Sequence, residues 1–165
     1  MKGNTLTIVL LVILGLAIAG FFYKRYKVPP AIALPDIALT DLNGQSVSLN
    51  AYAGKPLFIS FFATWCGPCM RELPELAELR TRLSDQHLQM VCICDEPIEK
   101  LKGIQERFGD QLVVLHSVKG FHDIGIYTYP TNYIFNTCGE KVYNKVDAEN
   151  WTDEAVTEKV RNLIK

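Results

Sequence analysis

The sequence predicts an α/β domain, a central mixed sheet flanked by helices, behind an N-terminal transmembrane helix. Between Leu57 and Leu115 short apolar strands alternate with amphipathic helical stretches, the pattern of parallel crossovers. From Thr131 onward two strand-like runs flank a turn and a last helix follows, which adds an antiparallel edge. Thr5 to Tyr23 is nineteen residues without a charge, and at about 1.5 Å per residue it covers roughly 28 Å, close to a bilayer's hydrocarbon thickness.

Taken in order, residues 1–27 form a membrane anchor or signal segment, 28–33 a linker, and 34–165 the folded domain. Ala17-Ile18-Ala19 fits a small-x-small cleavage site, but the apolar run continues through Phe21, Phe22 and Tyr23, which favours an uncleaved anchor. Lys24, Arg25 and Lys27 follow the segment while only Lys2 and the amino terminus precede it, a bias toward a cytoplasmic C-terminus. Prolines in Val28 to Pro35 keep the tether extended. A net charge of −1 with no basic stripe gives no support for nucleic-acid binding.

Ile37–Leu39 and Ser46–Leu49 flank Asn43-Gly44, a hairpin signal. Gly54-Lys55-Pro56 leads into a buried strand, Leu57 to Ala63. The helix that follows, Met70 to Leu83, carries Leu73, Leu76 and Leu83 on one stripe and Arg71, Glu75, Glu78 and Arg82 opposite, with a kink expected at Pro74. Leu88–Cys94 reads as a strand, Ile98–Phe108 as a helix and Leu112–Leu115 as a strand. Thr131–Phe135 and Lys141–Tyr143 flank a turn at Asn136–Glu140. In the final helix Thr152 is the expected N-cap, Val156, Val160, Leu163 and Ile164 form the apolar face, and basic residues lie toward the end.

The chemistry is concentrated in Trp65-Cys66-Gly67-Pro68-Cys69. A buried strand delivers Cys66 to a helix N-terminus, where unpaired N–H groups and the helix dipole stabilise a thiolate. Cys66 is therefore the expected nucleophile, and Cys69, one turn on, the thiol that resolves a mixed disulfide. Half a zinc site and a structural disulfide are the competing readings; the strand before and the helix after the pair favour a redox dithiol. Cys92-Ile93-Cys94 is spaced too tightly to complete a zinc site, and no metal or other cofactor is expected. Glu72 projects within about 60° of Cys69 on the apolar side of the helix, so its carboxylate should titrate high and exchange a proton with a thiol. His87, His116 and His122 lack mutual ligand spacing and receive no role.

From Leu34 to Lys165 the chain resembles thioredoxin-fold proteins, and more narrowly the membrane-anchored TlpA/ResA-type thiol–disulfide oxidoreductases. The resemblance rests on Leu34-Pro-Asp36, Asp41-Leu-Asn-Gly44, Gly54-Lys-Pro56, Ala63-Thr-Trp-Cys-Gly-Pro-Cys69, Glu72, Pro74 and Tyr129-Pro130-Thr131. It implies a thioredoxin-like sheet, a functional glutamate at Glu72 and a cis proline at Pro130. It further implies that backbone before Pro130 pairs with the substrate chain and that the proline keeps metal from the thiols. The expected catalytic group is Cys66, Cys69, Glu72 and Pro130, with Trp65, Gly67, Pro68, Tyr129 and Thr131 binding substrate. The expected partners are protein disulfide substrates, such as apocytochrome c or other exported proteins, and a transmembrane thiol-transfer electron donor. The domain is expected on the exported side, periplasmic or extracytoplasmic.

Three departures stand out. Ser60 takes a strand position where thioredoxins bury an aspartate and the subfamily often an asparagine, so no carboxylate acts from there. Phe62 replaces a frequent tryptophan. Cys92, Cys94 and Cys138 fall outside the family's functional pattern. Two alternative functions share the fold. A peroxiredoxin-type thiol peroxidase requires Thr-x-x-Cys, and Ala63 stands at the threonine position; a copper-delivery module requires Cys-x-x-x-Cys, and this spacing is shorter.

Overall fold

The computed structural model describes residues 2–27 and 37–165, with side chains described for 7–24 and 37–165. The linker 28–33 and the Leu34-Pro-Asp36 motif lie outside the described residues. Helix α1 spans Lys2–Lys27. Its window Thr7–Lys24 has a mean hydropathy of 2.2 and is not buried, so one helix among the described residues is long and apolar enough to cross a membrane. Apolar residues surround the whole circumference, as a lipid environment demands and a half-buried surface helix does not.

Among the described residues seven strands build one mixed sheet: β1 (Leu39–Thr40), β2 (Ser46–Val47), β3 (Leu57–Phe61), β4 (Gln89–Cys94), β5 (Val113–Ser117), β6 (Thr131–Phe135) and β7 (Lys141–Val146). Their order is β2-β1-β5-β4-β3-β6-β7. The central β3, β4 and β5 are parallel, joined through α2 (Gly67–Arg82) and α3 (Ile98–Phe108). Antiparallel pairs close both edges, and α4 (Glu154–Leu163) ends the chain. This is the thioredoxin-like mixed sheet the sequence predicts.

Because β3 is covered on both faces, all five of its residues are buried, and the apolar run has no polar alternation. Phe58 and Phe62 point into a cluster with Leu73, Leu76 and Leu79 of α2, Trp151 and Val160. Ile59 and Phe61 point into a second cluster with Leu39, Val91, Phe121 and Tyr133. A one-residue slip of β3 would exchange the two sets, so packing fixes its register.

Local chemistry accounts for the ends. The Asp41 carboxylate accepts from the N–H groups of Asn43 and Gln45, at 2.9 and 2.8 Å, and Gly44 takes φ +82°, so the predicted hairpin turn forms between two very short strands. The last helix begins one residue later than expected. Asp153, not Thr152, is its N-cap, accepting from Ala155 and Val156, because the Thr152 hydroxyl is committed to Asn150 Oδ1 at 2.8 Å. Strand β7 runs to Val146, beyond the expected Tyr143, since β6 offers it partners back to Thr131. Pro74 is accommodated inside α2.

Candidate active site

Strand β3 ends at Phe61, and the chain turns through Thr64 and Trp65 into α2. Cys66 is the N-cap of that helix, its Sγ accepting from the Cys69 N–H at 3.3 Å. Pro68 lies in the first turn, where its missing N–H costs no hydrogen bond. Cys66 and Cys69 are joined by a disulfide with Cα atoms 5.3 Å apart. Their surroundings differ: Cys66 retains 7% exposure and Cys69 none. Cys66 is thus the more accessible residue of the pair.

The segment leading into β6 lies beside the dithiol because the antiparallel register pairs Phe61 with Thr131. The Tyr129–Pro130 peptide bond is cis. The Pro130 carbonyl accepts from the Asp147 N–H at 3.0 Å, and the Thr131 hydroxyl donates to the Thr128 carbonyl at 2.7 Å. Trp65 is 70% exposed and rests edge-on against Tyr129, with ring centroids 5.6 Å apart. Burial, with Asp95 and Cys94 nearby, pushes the Tyr129 phenol up to about 12, so it stays protonated at neutral pH. Gly67 and Pro68 are exposed at the rim.

Glu72 lies one turn deeper and is buried. Its Oε1 accepts from Trp151 Nε1 at 2.5 Å and from Asn132 Nδ2 at 3.0 Å. Burial raises its pKa to about 7, against the opposing effect of the Trp151, Glu149 backbone and Asn132 donors. The high titration expected from helical geometry is thus matched by the surroundings. Glu75, expected on the far side of α2, instead accepts from the Trp151 N–H at 3.1 Å. Ser60 pairs with Asn132 in the β3–β6 register and with Cys92 in the β3–β4 register. Ser60 Oγ and Asn132 Oδ1 are buried without a hydrogen-bond partner among the described residues.

The structure also brings in residues that the sequence reading passed over. The Glu96 carboxylate accepts from the Thr64 N–H at 2.6 Å and the Thr64 hydroxyl at 2.9 Å, and it pairs with Lys100 at 2.8 Å. It fixes the loop two residues before Cys66. Burial would raise Glu96, but the Lys100 and Thr64 donors outweigh that and hold it below the usual carboxylate range. Trp151 and Asn132 were missed as well. The available signal was that a buried indole N–H requires an acceptor. Cys92 and Cys94 are buried and Cys138 is exposed. Burial, reinforced by the charge of Glu72, raises the Cys92 thiol strongly, while burial chiefly lifts Cys94 to about 12; both remain thiols.

Comparison with known proteins places this geometry among related chains. Residues 31–140 match the AhpC/TSA family. The chain is 28% identical over 164 residues to the thiol-disulfide oxidoreductase ResA of Geobacillus thermodenitrificans, covering 97% of this chain and 93% of that protein. It is 31% identical over 143 residues to ResA of Geobacillus kaustophilus, covering 83% and 81%. Among solved structures, a thiol:disulfide interchange protein of the thioredoxin family from Chlorobium tepidum superposes with a TM-score of 0.64 at 22% identity, covering 83% of this chain and all of that one.

Proposed function

We propose, from the premise that this chain belongs to the AhpC/TSA family and is a thiol–disulfide oxidoreductase of the ResA type, that it acts as a membrane-tethered reductase of disulfides in exported proteins. The observation that carries the reading is the asymmetry of the dithiol, with Cys66 at the N-cap of α2 and Cys69 sealed beneath it.

The reduced enzyme attacks with the Cys66 thiolate, which the N-terminus of α2 stabilises. The Cys66 sulfur bonds to one substrate sulfur and the other leaves as a thiolate that takes up a proton. Cys69 then loses its proton and attacks Cys66 Sγ, closing the Cys66–Cys69 bond and releasing the second substrate thiol. Two electrons pass from the dithiol to the substrate, and the disulfide form is the product state.

Glu72, with a pKa of about 7, is suited to take the Cys69 proton, since a carboxyl that titrates near the operating pH serves as acid and base. Trp65, Gly67 and Pro68 form the exposed rim that meets the substrate, and the half-buried Tyr129, held against Trp65, offers the backbone before Pro130 on the opposite side, with Pro130 and Thr131 buried behind it. Ala63 puts no hydroxyl three residues before Cys66, which disfavours peroxidase chemistry.

The Gly67-Pro68 dipeptide matches thioredoxin, whose couple near −270 mV is reducing. In an oxidising compartment such a domain requires electrons from a transmembrane thiol-transfer partner. Residues 34–165 are then the redox domain, held on the exported face by α1, and apocytochrome c or a similar exported dithiol protein is the substrate class.

Trapping tests the division of labour. Cys69→Ser should accumulate mixed disulfides with substrate proteins through Cys66, and Cys66→Ser should not. Faster alkylation of Cys69 than of Cys66 in the reduced protein near neutral pH would reverse the assignment.

A further inference from the structure

Two donors from distant parts of the chain converge on one oxygen of Glu72. Trp151 Nε1 reaches Oε1 from the loop before α4, and Asn132 Nδ2 reaches the same atom from β6. A third donor is the backbone N–H of Glu149, in the same loop as Trp151. The loop is itself docked on α2, because the Trp151 N–H donates to Glu75 and Arg82 donates to the Thr152 carbonyl at 2.9 Å. The indole has little freedom. It is fully buried, edge-on to Phe58 at 4.8 Å and to Tyr143 at 6.2 Å.

We infer that Trp151 is a positioning residue for the dithiol chemistry, holding the Glu72 carboxylate through its indole N–H and governing when that carboxylate takes a proton. The inference deepens the role proposed for Glu72 and rests on it.

The two side-chain donors are chemically unequal. An indole N–H can only donate, so it favours the carboxylate over the acid at every pH. An amide carries both a donor and an acceptor, and Asn132 Oδ1 is buried without a partner among the described residues. By turning over, Asn132 can accept from the protonated acid as readily as it donates to the carboxylate. Among the side chains the bias therefore comes from Trp151, beside the Glu149 backbone N–H, which likewise only donates. It opposes the burial of Glu72 and the negative charge of Glu75 on the same helix.

The other groups facing this site are few. Cys92 of β4 feels the charge of Glu72 and stays a thiol, Cys69 lies on α2 itself and Cys66 caps its N-terminus. Ser60 of β3 does not titrate. Behind Trp151, Tyr143 of β7 bonds to Glu149 at 3.4 Å, Lys145 pairs with Glu149 at 3.1 Å, and Lys159 of α4 lies 4.4 Å over the Tyr143 ring.

The test uses the full chain in detergent micelles, with carbon-13 in the glutamate carboxyls and the Glu72 resonance identified by its loss in Glu72→Gln. Trp151→Phe keeps the ring contacts and removes the donor, so the Glu72 midpoint should rise by on the order of one pH unit. In the reduced protein, the Glu72-dependent step in the pH profile of Cys66 alkylation should move with it. In a Glu72→Gln background, Trp151→Phe should leave that profile unchanged. An unshifted Glu72 midpoint in folded Trp151→Phe overturns the inference. A shifted midpoint with an unmoved alkylation profile upholds the hold on Glu72 and instead defeats the redox role of Glu72. Should Trp151→Phe not fold, Trp65→Phe leaves Trp151 as the sole tryptophan. Its indole proton resonance should then titrate with the Glu72 midpoint and lose that step in Glu72→Gln; an indole resonance that ignores the midpoint overturns the inference.

Discussion

Replacing Glu72 by glutamine should flatten part of the protein's stability-versus-pH curve. Glu72 is 2% exposed, and its pKa rises from an ordinary 4.5 to about 7 in the folded protein, some 2.5 pH units. A carboxyl raised on folding stabilises the folded state fully below its unfolded pKa, and that contribution is lost as pH climbs through the folded value. Between pH 4 and pH 8 the loss is on the order of 3 kcal/mol, at about 1.4 kcal/mol per pH unit. Glutamine keeps the volume, offers Trp151 and Asn132 a carbonyl acceptor, and does not titrate. Urea unfolding of the oxidised wild type and Glu72→Gln in the same micelles, at pH 4 and pH 8, provides the measurement. The difference in pH dependence isolates Glu72, because every other titrating group is common to both proteins. The wild type should lose about 3 kcal/mol more than the variant over this range. Curves that run parallel to within about 0.5 kcal/mol would mean that Glu72 titrates normally, and the proton-transfer role would lose its physical basis.

Two further outcomes test direction and placement. The Cys66/Cys69 couple should equilibrate near −270 mV in a glutathione or dithiothreitol redox titration, and a value above about −180 mV would make the protein an oxidant instead. A reporter fused after Lys165 should be active only when it is exported; activity confined to a cytoplasm-dependent reporter would place the redox domain on the other side, as Lys24, Arg25 and Lys27 would favour.

The dithiol was legible in the sequence because its chemistry is local. A buried strand, a Cys-x-x-Cys and an amphipathic helix specify an N-capping thiol within fourteen or so residues, and the structure places Cys66 at that cap. Helix α3 and strand β6 likewise run over the residues expected of them, Ile98–Phe108 and Thr131–Phe135. Boundaries set by competition were less legible. Thr152 and Asp153 both have N-cap side chains, and Asn150 decides between them by occupying the threonine hydroxyl.

By itself the sequence determined which residues meet within a turn or two: the dithiol, the side of α2 that carries Glu72, and an apolar span long enough for a bilayer. The tertiary structure decided the surroundings in which Glu72 titrates. Its partners Asn132 and Trp151 lie 60 and 79 residues away, and Glu96 reaches Thr64 across 32. Such contacts follow strand register and helix docking, which depend on the packing of two cores at once, and a one-residue slip in β6 would turn Asn132 to the opposite face of the sheet. Periodicity selects the face a residue occupies; only the closed sheet determines which distant donor waits there.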